Sequence, residues 1–343
     1  MSLATAIRTG DVAELPGRRD EDWRWTDLRG LIRVLPPGSP PAAEVTHNRA
    51  LDALDAPIAI FANGRAFDAA PEVGEGVLIR RFVSATNETA HHAEAPIEVA
   101  AGAQLVLIDS FEGQADGYLA SARTPIRLGA GAKVERLVLL DDAADAVSVA
   151  LTEVELAPGA SFAQTVIASG ARRQRFETRV RHPGGGAKVR LDGLYVLTGQ
   201  RHSDQTTEVV HEGLDGETRQ LTKGIAADQA RGVFQGRIVV RPGADRTDAR
   251  MGHHALITSD RAEIDAKPEL LIFADDVACA HGNTVGALDE EALFYARQRG
   301  IPEPEARAML IGAFLGEVVD RIEHEPARDL ARAWLAAKLE ASA

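Results

Sequence analysis

The chain has only one cysteine, Cys279, and only 5% of its 343 residues are aromatic. A single thiol excludes an internal disulfide framework and is typical of a reducing compartment. No run approaches the roughly 18 consecutive apolar residues of a membrane span, and the first residues do not form a signal peptide. We therefore expect a cytoplasmic protein that does not enter a membrane.

Positive charge is also scarce, with 38 Lys and Arg against 51 Asp and Glu and a formal net charge of −13. Such a surface repels phosphate backbones, so nucleic acid is not an expected partner. The glycines before Lys188 do not form the GxxxxGKS/T sequence of a nucleotide-binding loop. No Ser/His/Asp set or carboxylate pair can be assigned either, and we expect a protein that is not an enzyme.

A repeat of small residues occupies the centre of the chain. Gly-Ala pairs begin at the five positions 102, 131, 159, 186 and 243, which are 29, 28, 27 and 57 residues apart. The last interval is about two periods, and Gly213 and Gly216 lie near its midpoint, where a degenerate copy is expected. Periods of 20 to 50 residues indicate stacked structural repeats.

Between these pairs, apolar and charged residues alternate, as in Leu151–Leu156 and Lys188–Gly193, which is the period of a half-buried strand. The pattern predicts a mainly β protein, a right-handed parallel β-helix with about 28 residues per rung. The expected regions are a helical or mixed part at 1–90, the β-helix at 91–285 and helices at 286–343. Two β-sandwich domains in tandem are the alternative.

Helices are expected to cover the ends of this solenoid, because open ends invite further strand pairing. After the N-cap candidate Asp289, the sequence predicts one helix over 290–299, a second after Pro304 and a third over about 326–339. The second helix has one apolar stripe that contains Leu310 and Phe314. These two side chains are candidate anchors for a partner protein.

The candidate metal ligands are Cys279 and His281, in a segment that joins the strands to the first of these helices and is expected to be a loop. If the backbone there is extended, the two side chains share a face and could bind one soft or borderline metal. A complete zinc or iron–sulfur site takes about four ligands. A partner subunit would have to supply the remainder, and Cys279 could instead be a buried hydrophobic residue.

Other candidates have a simpler interpretation. Asp275 and Asp276 are expected to be solvated or capping groups, although carboxylates can bind hard cations. The adjacent pair at 253–254 (His-His) would point to opposite faces of a strand, and a surface role is expected for both. The two tryptophans Trp23 and Trp25 flank Arg24 and are expected to pack against the body of the protein.

Two segments carry a resemblance to a known family. The run PELLIFADDVACAHGNTVGALDEEALFYARQRGI, from Pro268 to Ile301, resembles the C-terminal signature of the SufB/SufD family. LPGRRDEDWRWTDLRGL, from Leu15 to Leu31, is similar to the amino-terminal segment of that family. These proteins are the non-ATPase subunits of the SUF iron–sulfur cluster assembly system, and the chain resembles the SufD branch more than SufB.

The resemblance implies a non-catalytic assembly subunit that pairs with a SufB-like subunit through its β-helix and binds the ATPase SufC through its C-terminal helices. It also implies a role for His281 in iron entry or cluster formation. Iron or a nascent cluster would be transient and shared with SufB, and none would be bound tightly to the isolated chain. The chain is short for SufB, and Gly282 occupies a position where SufB-like members have Glu.

Other interpretations remain open. The isolated chain could form a homodimer. It could be a purely structural β-helix module in which Cys279 and His281 have no metal role. A β-helix enzyme acting on carbohydrates is less compatible with the absence of a signal peptide and with dispersed charges.

Overall fold

The computed structural model describes residues 1–68 and 74–340, and its centre is a parallel β-solenoid of about seven rungs. Each rung contributes one strand to each of two sheets. The strands are β1 Ile58–Ala62, β2 Arg65–Ala66, β3 Gly76–Ser84, β4 Ala90–Glu94, β5 Ile97–Val99, β6 Gln104–Gly113, β7 Leu119–Leu128, β8 Lys133–Asp141, β9 Val147–Leu156, β10 Ser161–Ala168, β11 Arg173–His182, β12 Lys188–Leu197, β13 His202–His211, β14 Glu217–Ala226, β15 Arg231–Val240, β16 Thr247–Ile257, β17 Glu263–Ile272 and β18 Val277–Gly286.

The two sheets contain alternate strands of the chain. Sheet 1 has ten strands in the order β18-β16-β14-β12-β10-β8-β6-β3-β1-β2, and sheet 2 has the order β17-β15-β13-β11-β9-β7-β4 with β5 also paired to β7. All described strand pairs are parallel except β1 with β2. The parallel β-helix prediction is confirmed, and tandem β-sandwiches are excluded because their sheets are antiparallel.

The corners between strands explain the Gly-Ala repeat. The glycine of each pair has a positive φ, from 66° at Gly131 to 83° at Gly243, a conformation that other residues rarely adopt. The alanine after it is buried in four of the five pairs and half-buried at Ala103, at places where a larger side chain would separate neighbouring rungs. The degenerate copy is confirmed, but Asp215, with φ of 59°, takes the left-handed position there.

Helices lie at both ends of the sequence: α1 Leu3–Thr9, α2 Leu28–Leu31, α3 Glu290–Gln298, α4 Glu303–Val319 and α5 Glu325–Glu340. The three predicted C-terminal helices are present, and the Asp289 side chain caps α3 by accepting the amide hydrogens of Glu291 and Ala292. No helix within residues 1–68 and 74–340 is both long and apolar enough to cross a membrane.

The C-terminal helices cover a side of the solenoid, whereas the sequence predicted that they would close its end. Leu315 and Val318 of α4 pack with Leu330 of α5 against outward-facing apolar residues of sheet 1, including Ile108 and Leu137. Only part of the apolar stripe of α4 is buried in this contact, since Leu310 and Phe314 are half-buried. The helices α4 and α5 leave the last rung of the solenoid uncovered. The N-terminal residues pack in the same way on the outer face of sheet 2.

Candidate functional site

The last rung consists of β17 and β18, which are the edge strands of the two sheets. Neither strand contains a fully buried residue, whereas the strands before them are largely buried. Each edge strand pairs on one side only, so the backbone groups directed to its other side have no strand partner within the described chain. The solenoid therefore ends in two exposed sheet edges.

Cys279 and His281 lie in β18, so the prediction that they occupy a loop is wrong. The sequence of β18, VACAHGNTVG, consists mostly of small residues and lacks the apolar-polar alternation that reveals a strand. It is extended because it continues the register of β16, with Cys279 opposite Ala249 and His281 opposite Met251. Since Ala249 and Met251 are buried and inward-facing, Cys279 and His281 share the inner face at the open end.

The two candidate ligands differ in environment. Cys279 is half-buried and packs against the apolar cluster that contains Met251 and Phe234. Burial raises the pKa of its thiol, so the protonated form predominates near neutral pH. His281 is exposed. The surroundings therefore favour an available imidazole and a thiol that is packed and protonated.

These two residues do not complete a metal site within the chain. Among the described residues, no group of three or more His, Cys, Asp or Glu side chains is placed to hold a metal ion. Asp275 and Asp276 are exposed in the corner before β18, and the Asp276 carbonyl accepts a hydrogen bond from the Arg246 amide. An ion bound at His281 would need ligands from another molecule.

His253 is buried, which corrects the expected surface role. It lies on the inner face of β16 and stacks on Phe234 with ring centroids 4.7 Å apart. Its Nε2 is 3.0 Å from the Tyr195 hydroxyl, and its Nδ1 is 2.7 Å from Oδ1 of Asn283 on β18. Burial lowers the pKa of His253 to about 4, so the imidazole is neutral. His254 lies on the outer face.

The tryptophan segment packs across the outer face of sheet 2, as expected. The Arg175 guanidinium lies 4.4 Å from the centre of the Trp23 ring and is 2.7 Å from the Asp204 carboxylate. The Thr26 hydroxyl donates to the same carboxylate oxygen, with its Oγ1 2.5 Å from Asp204 Oδ2. Sequence reasoning missed Arg175 and Asp204, since they are about 150 and 180 residues away from the segment they hold.

The predicted partner anchors are only partly available. Leu310 is half-buried, and Phe314 packs against the helix–sheet core with the Lys223 ammonium 4.4 Å from its ring centre. The exposed large apolar side chains of the C-terminal helices are instead Phe294, Tyr295 and Met309, which are 62%, 60% and 54% exposed. Phe294 and Tyr295 were missed because residues 290–299 were interpreted only through their charges and caps.

Comparison of the sequence with known proteins shows the family of the chain. A sequence model described as SUF system FeS cluster assembly, SufBD core domain, matches residues 82–314, more than half of the chain. SufD of Escherichia coli is 27% identical over 384 aligned residues, covering 94% of this chain and 88% of the relative.

Two further relatives match shorter parts. A SufBD family protein of Synechocystis sp. is 32% identical over 209 residues, covering 61% of this chain and 46% of the relative. SufD of Bacillus subtilis is 35% identical over 142 residues, covering 41% and 32%. The chain belongs to the SufB/SufD family of the SUF iron–sulfur cluster assembly system, and within that family it is most like SufD.

Proposed function

We propose that this chain is a non-catalytic, cytoplasmic subunit of a SUF assembly complex, in which it pairs with a SufB-like subunit, binds SufC and contributes to a shared iron–sulfur site. The observation that carries the proposal is the open last rung. It presents two unpaired sheet edges and the side chains of Cys279 and His281 on one strand. A partner strand added there would complete the sheet and bring its own side chains to His281.

The two edges differ in how well they accept a strand. On β17, the Glu263 amide donates to Ala230 and the Phe273 amide donates to Val240, both in or beside β15. Backbone N–H and C=O groups point alternately to the two sides of a strand. Those of odd-numbered residues in β17 therefore point towards β15, and the backbone of Pro268 is directed to the free edge. A proline there offers no N–H to an incoming strand, and Lys267 beside it adds charge.

The β18 edge has no such protection. Its sequence contains no proline and no Asp, Glu, Lys or Arg. The Thr258 amide, just after β16, donates to Ala226 of β14, so the backbone N–H and C=O groups of odd-numbered residues in β16 point towards β18. Given the register of the two strands, the backbone groups of odd-numbered residues in β18 point towards the free edge of the sheet. We therefore assign β18 as the main edge for pairing with a SufB-like subunit. A second copy of this chain would use the same edge in a homodimer.

The C-terminal helices are the proposed SufC-binding region. Phe294 and Tyr295 on α3 and Met309 on α4 are exposed apolar side chains on two helices that contact each other. Exposed aromatic side chains are frequent anchors at protein interfaces. Leu310 and Phe314 remain candidate anchors, but part of their surface is used for packing, so we place them at the rim of the contact.

His281 is the proposed metal-binding residue, with Cys279 beside it on the same face. A neutral imidazole is a good ligand for borderline metals such as iron, and a thiol can enter a shared site once it loses its proton. Residues two apart on a strand are about 6.6 Å apart along the backbone and project to the same face, so both side chains can reach one cluster. Iron or the cluster is the cargo, held only while the partner contributes ligands.

Copurification tests the proposal. The full chain is expressed with a SufB-like subunit and SufC, and the purified complex is assayed for composition, iron and acid-labile sulfide. Val285→Pro removes an outward-facing amide of β18 and should lower recovery of the SufB-like subunit at least tenfold, whereas Pro268→Ala on β17 should leave it unchanged. Recovery of an intact, metal-free complex would favour the purely structural module.

A further inference from the structure

A hydrogen-bonded chain of three side chains runs from the interior of the solenoid to the open rung. It starts at the Tyr195 hydroxyl on β12, passes through the His253 ring on β16 and ends at the Asn283 amide on β18. Tyr195 and His253 are buried, whereas Asn283 is exposed. None of these three residues is a proposed metal ligand.

The chain fixes which way the Asn283 amide points. A neutral imidazole has one donor and one acceptor nitrogen. The His253 ring is the one hydrogen-bond partner of the Tyr195 hydroxyl among the described residues, so the hydroxyl donates to Nε2 at 3.0 Å. Nδ1 then carries the hydrogen, and the Asn283 carbonyl oxygen, 2.7 Å away, accepts it. The ring cannot turn away easily, because it is stacked on Phe234 with an angle of 4° between the planes.

With its oxygen held by His253, Asn283 directs its NH₂ group elsewhere. No group within the described residues accepts a hydrogen bond from that nitrogen. Asn283 is opposite His253 in the register, two residues after His281 and four after Cys279 on the same strand. Alternation along β18 places all three on the inner face. An oriented N–H donor thus lies beside the two proposed ligands.

We propose that Asn283 donates a hydrogen bond to a sulfur atom of the cargo, either a thiolate or a cluster sulfide, and that His253 is the positioning residue that orients it. This inference rests on the proposed function. Sulfur atoms of clusters accept N–H hydrogen bonds, which favour added negative charge and raise the reduction potential.

The outer face of the same two strands provides a matched control. His254 and Thr284 are the next residues along β16 and β18, and Nδ1 of His254 is 2.7 Å from the Thr284 hydroxyl. This pair has the same spacing and strands but faces away from the proposed ligands. Thr284→Val should therefore leave the cluster unaffected.

The test uses the complex copurified with a SufB-like subunit and SufC. Asn283→Asp keeps the oxygen that His253 holds and replaces the donor NH₂ by a charged acceptor. It should shift the midpoint potential of the bound cluster to more negative values and speed iron loss to a chelator severalfold, while Thr284→Val changes neither. Asn283 and Thr284 are both exposed, so the complexes with Asn283→Asp and with Thr284→Val should keep the melting temperature of the native complex.

His253→Phe tests the positioning role. Phenylalanine retains a flat ring over Phe234 but makes neither hydrogen bond, and it should shift the potential in the same direction as Asn283→Asp. Tyr195→Phe, which also removes a buried hydrogen bond but leaves His253 with Asn283, should shift it less. An Asn283→Asp complex with native potential and native iron retention would overturn the inference, whereas a native complex without any iron or sulfide would overturn the proposed function itself.

Discussion

Asp109 and Arg136 form an ion pair with a nitrogen–oxygen distance of 2.5 Å in the interior of the solenoid, where neither side chain is exposed. Arg80 approaches the same carboxylate from the preceding strand at 2.6 Å. Burial opposes the charge on Asp109, but the two guanidinium groups outweigh it and hold the pKa of this carboxyl below its ordinary value. One anion therefore links three rungs.

Asp109→Asn should destabilise the protein by about 3 to 5 kcal/mol, because it leaves two buried arginines with no countercharge. The measurement is chemical unfolding followed by circular dichroism. Glu155→Gln is the control, since Glu155 meets Arg127 at 3.3 Å on the exposed face of sheet 2 and should change stability by less than about 1 kcal/mol. Equal losses for the two variants would contradict this account of the interior.

Acid should weaken the fold through three buried histidines and the half-buried His91. Burial lowers the pKa of His91, His202 and His253 to about 4 and of His211 to about 3. Because these values lie below the ordinary pKa of about 6.5, protonation favours the unfolded chain. Stability is complete above pH 6.5 and falls as the pH drops from there towards 4.

At pH 5, each of these imidazoles should lower the free energy of unfolding by about 2 kcal/mol relative to pH 8. Urea unfolding at pH 8, 6 and 5 measures the slope. His211→Gln should make the slope shallower, whatever its effect at pH 8. A slope that is unchanged in this variant would show that His211 is accessible to protons in the folded state.

The docking of the N-terminal segment on sheet 2 should depend on Trp23. Trp23→Ala removes the ring that lies against Arg175, and a desolvated cation–π contact with its packing is worth about 2 kcal/mol. Amide exchange over residues 20–27 should become at least tenfold faster, with little change in the strands. Arg19→Ala, at an exposed position just before this segment, should leave exchange unchanged, and equal acceleration in both variants would argue against the contact.

SufC binding should depend on the exposed aromatic group of α3. Phe294→Ala with Tyr295→Ala should weaken SufC binding by tenfold or more at an unchanged melting temperature, as judged by calorimetry. Phe314→Ala should mainly lower stability, by about 2 to 4 kcal/mol, since that ring is packed against the core. Full SufC affinity in the α3 variant would return the assignment to Leu310 and Phe314.

The sequence predicts the solenoid well because its period is marked by local chemistry. A left-handed corner needs glycine, and glycine is visible wherever it occurs. Asp215 shows the limit of this rule, since it adopts the same left-handed conformation although an aspartate does not identify a corner in the sequence. The strand β18 was missed for a related reason: its small residues fit an extended edge but show no alternation.

The structural features that the sequence did not predict depend on contacts between residues that are far apart in the chain. Tyr195 and His253 are 58 positions apart in the sequence. Their side chains meet because stacking places their strands only two rungs apart in space. An apolar stripe such as that of α4 predicts a buried face but not its partner, and here the partner is the side of sheet 1. The exposed aromatic residues of α3 could have been found from the helix prediction itself.

The central claim is that His281 serves a shared iron–sulfur site at the open rung. The most direct measurement is the iron and acid-labile sulfide content of the complex copurified with a SufB-like subunit and SufC, compared among native, Cys279→Ala and His281→Ala chains. His281→Ala should leave the subunits together and lower both contents at least fivefold, with a smaller effect for Cys279→Ala because that thiol is packed and protonated. Native iron and sulfide in the His281→Ala complex would contradict the claim.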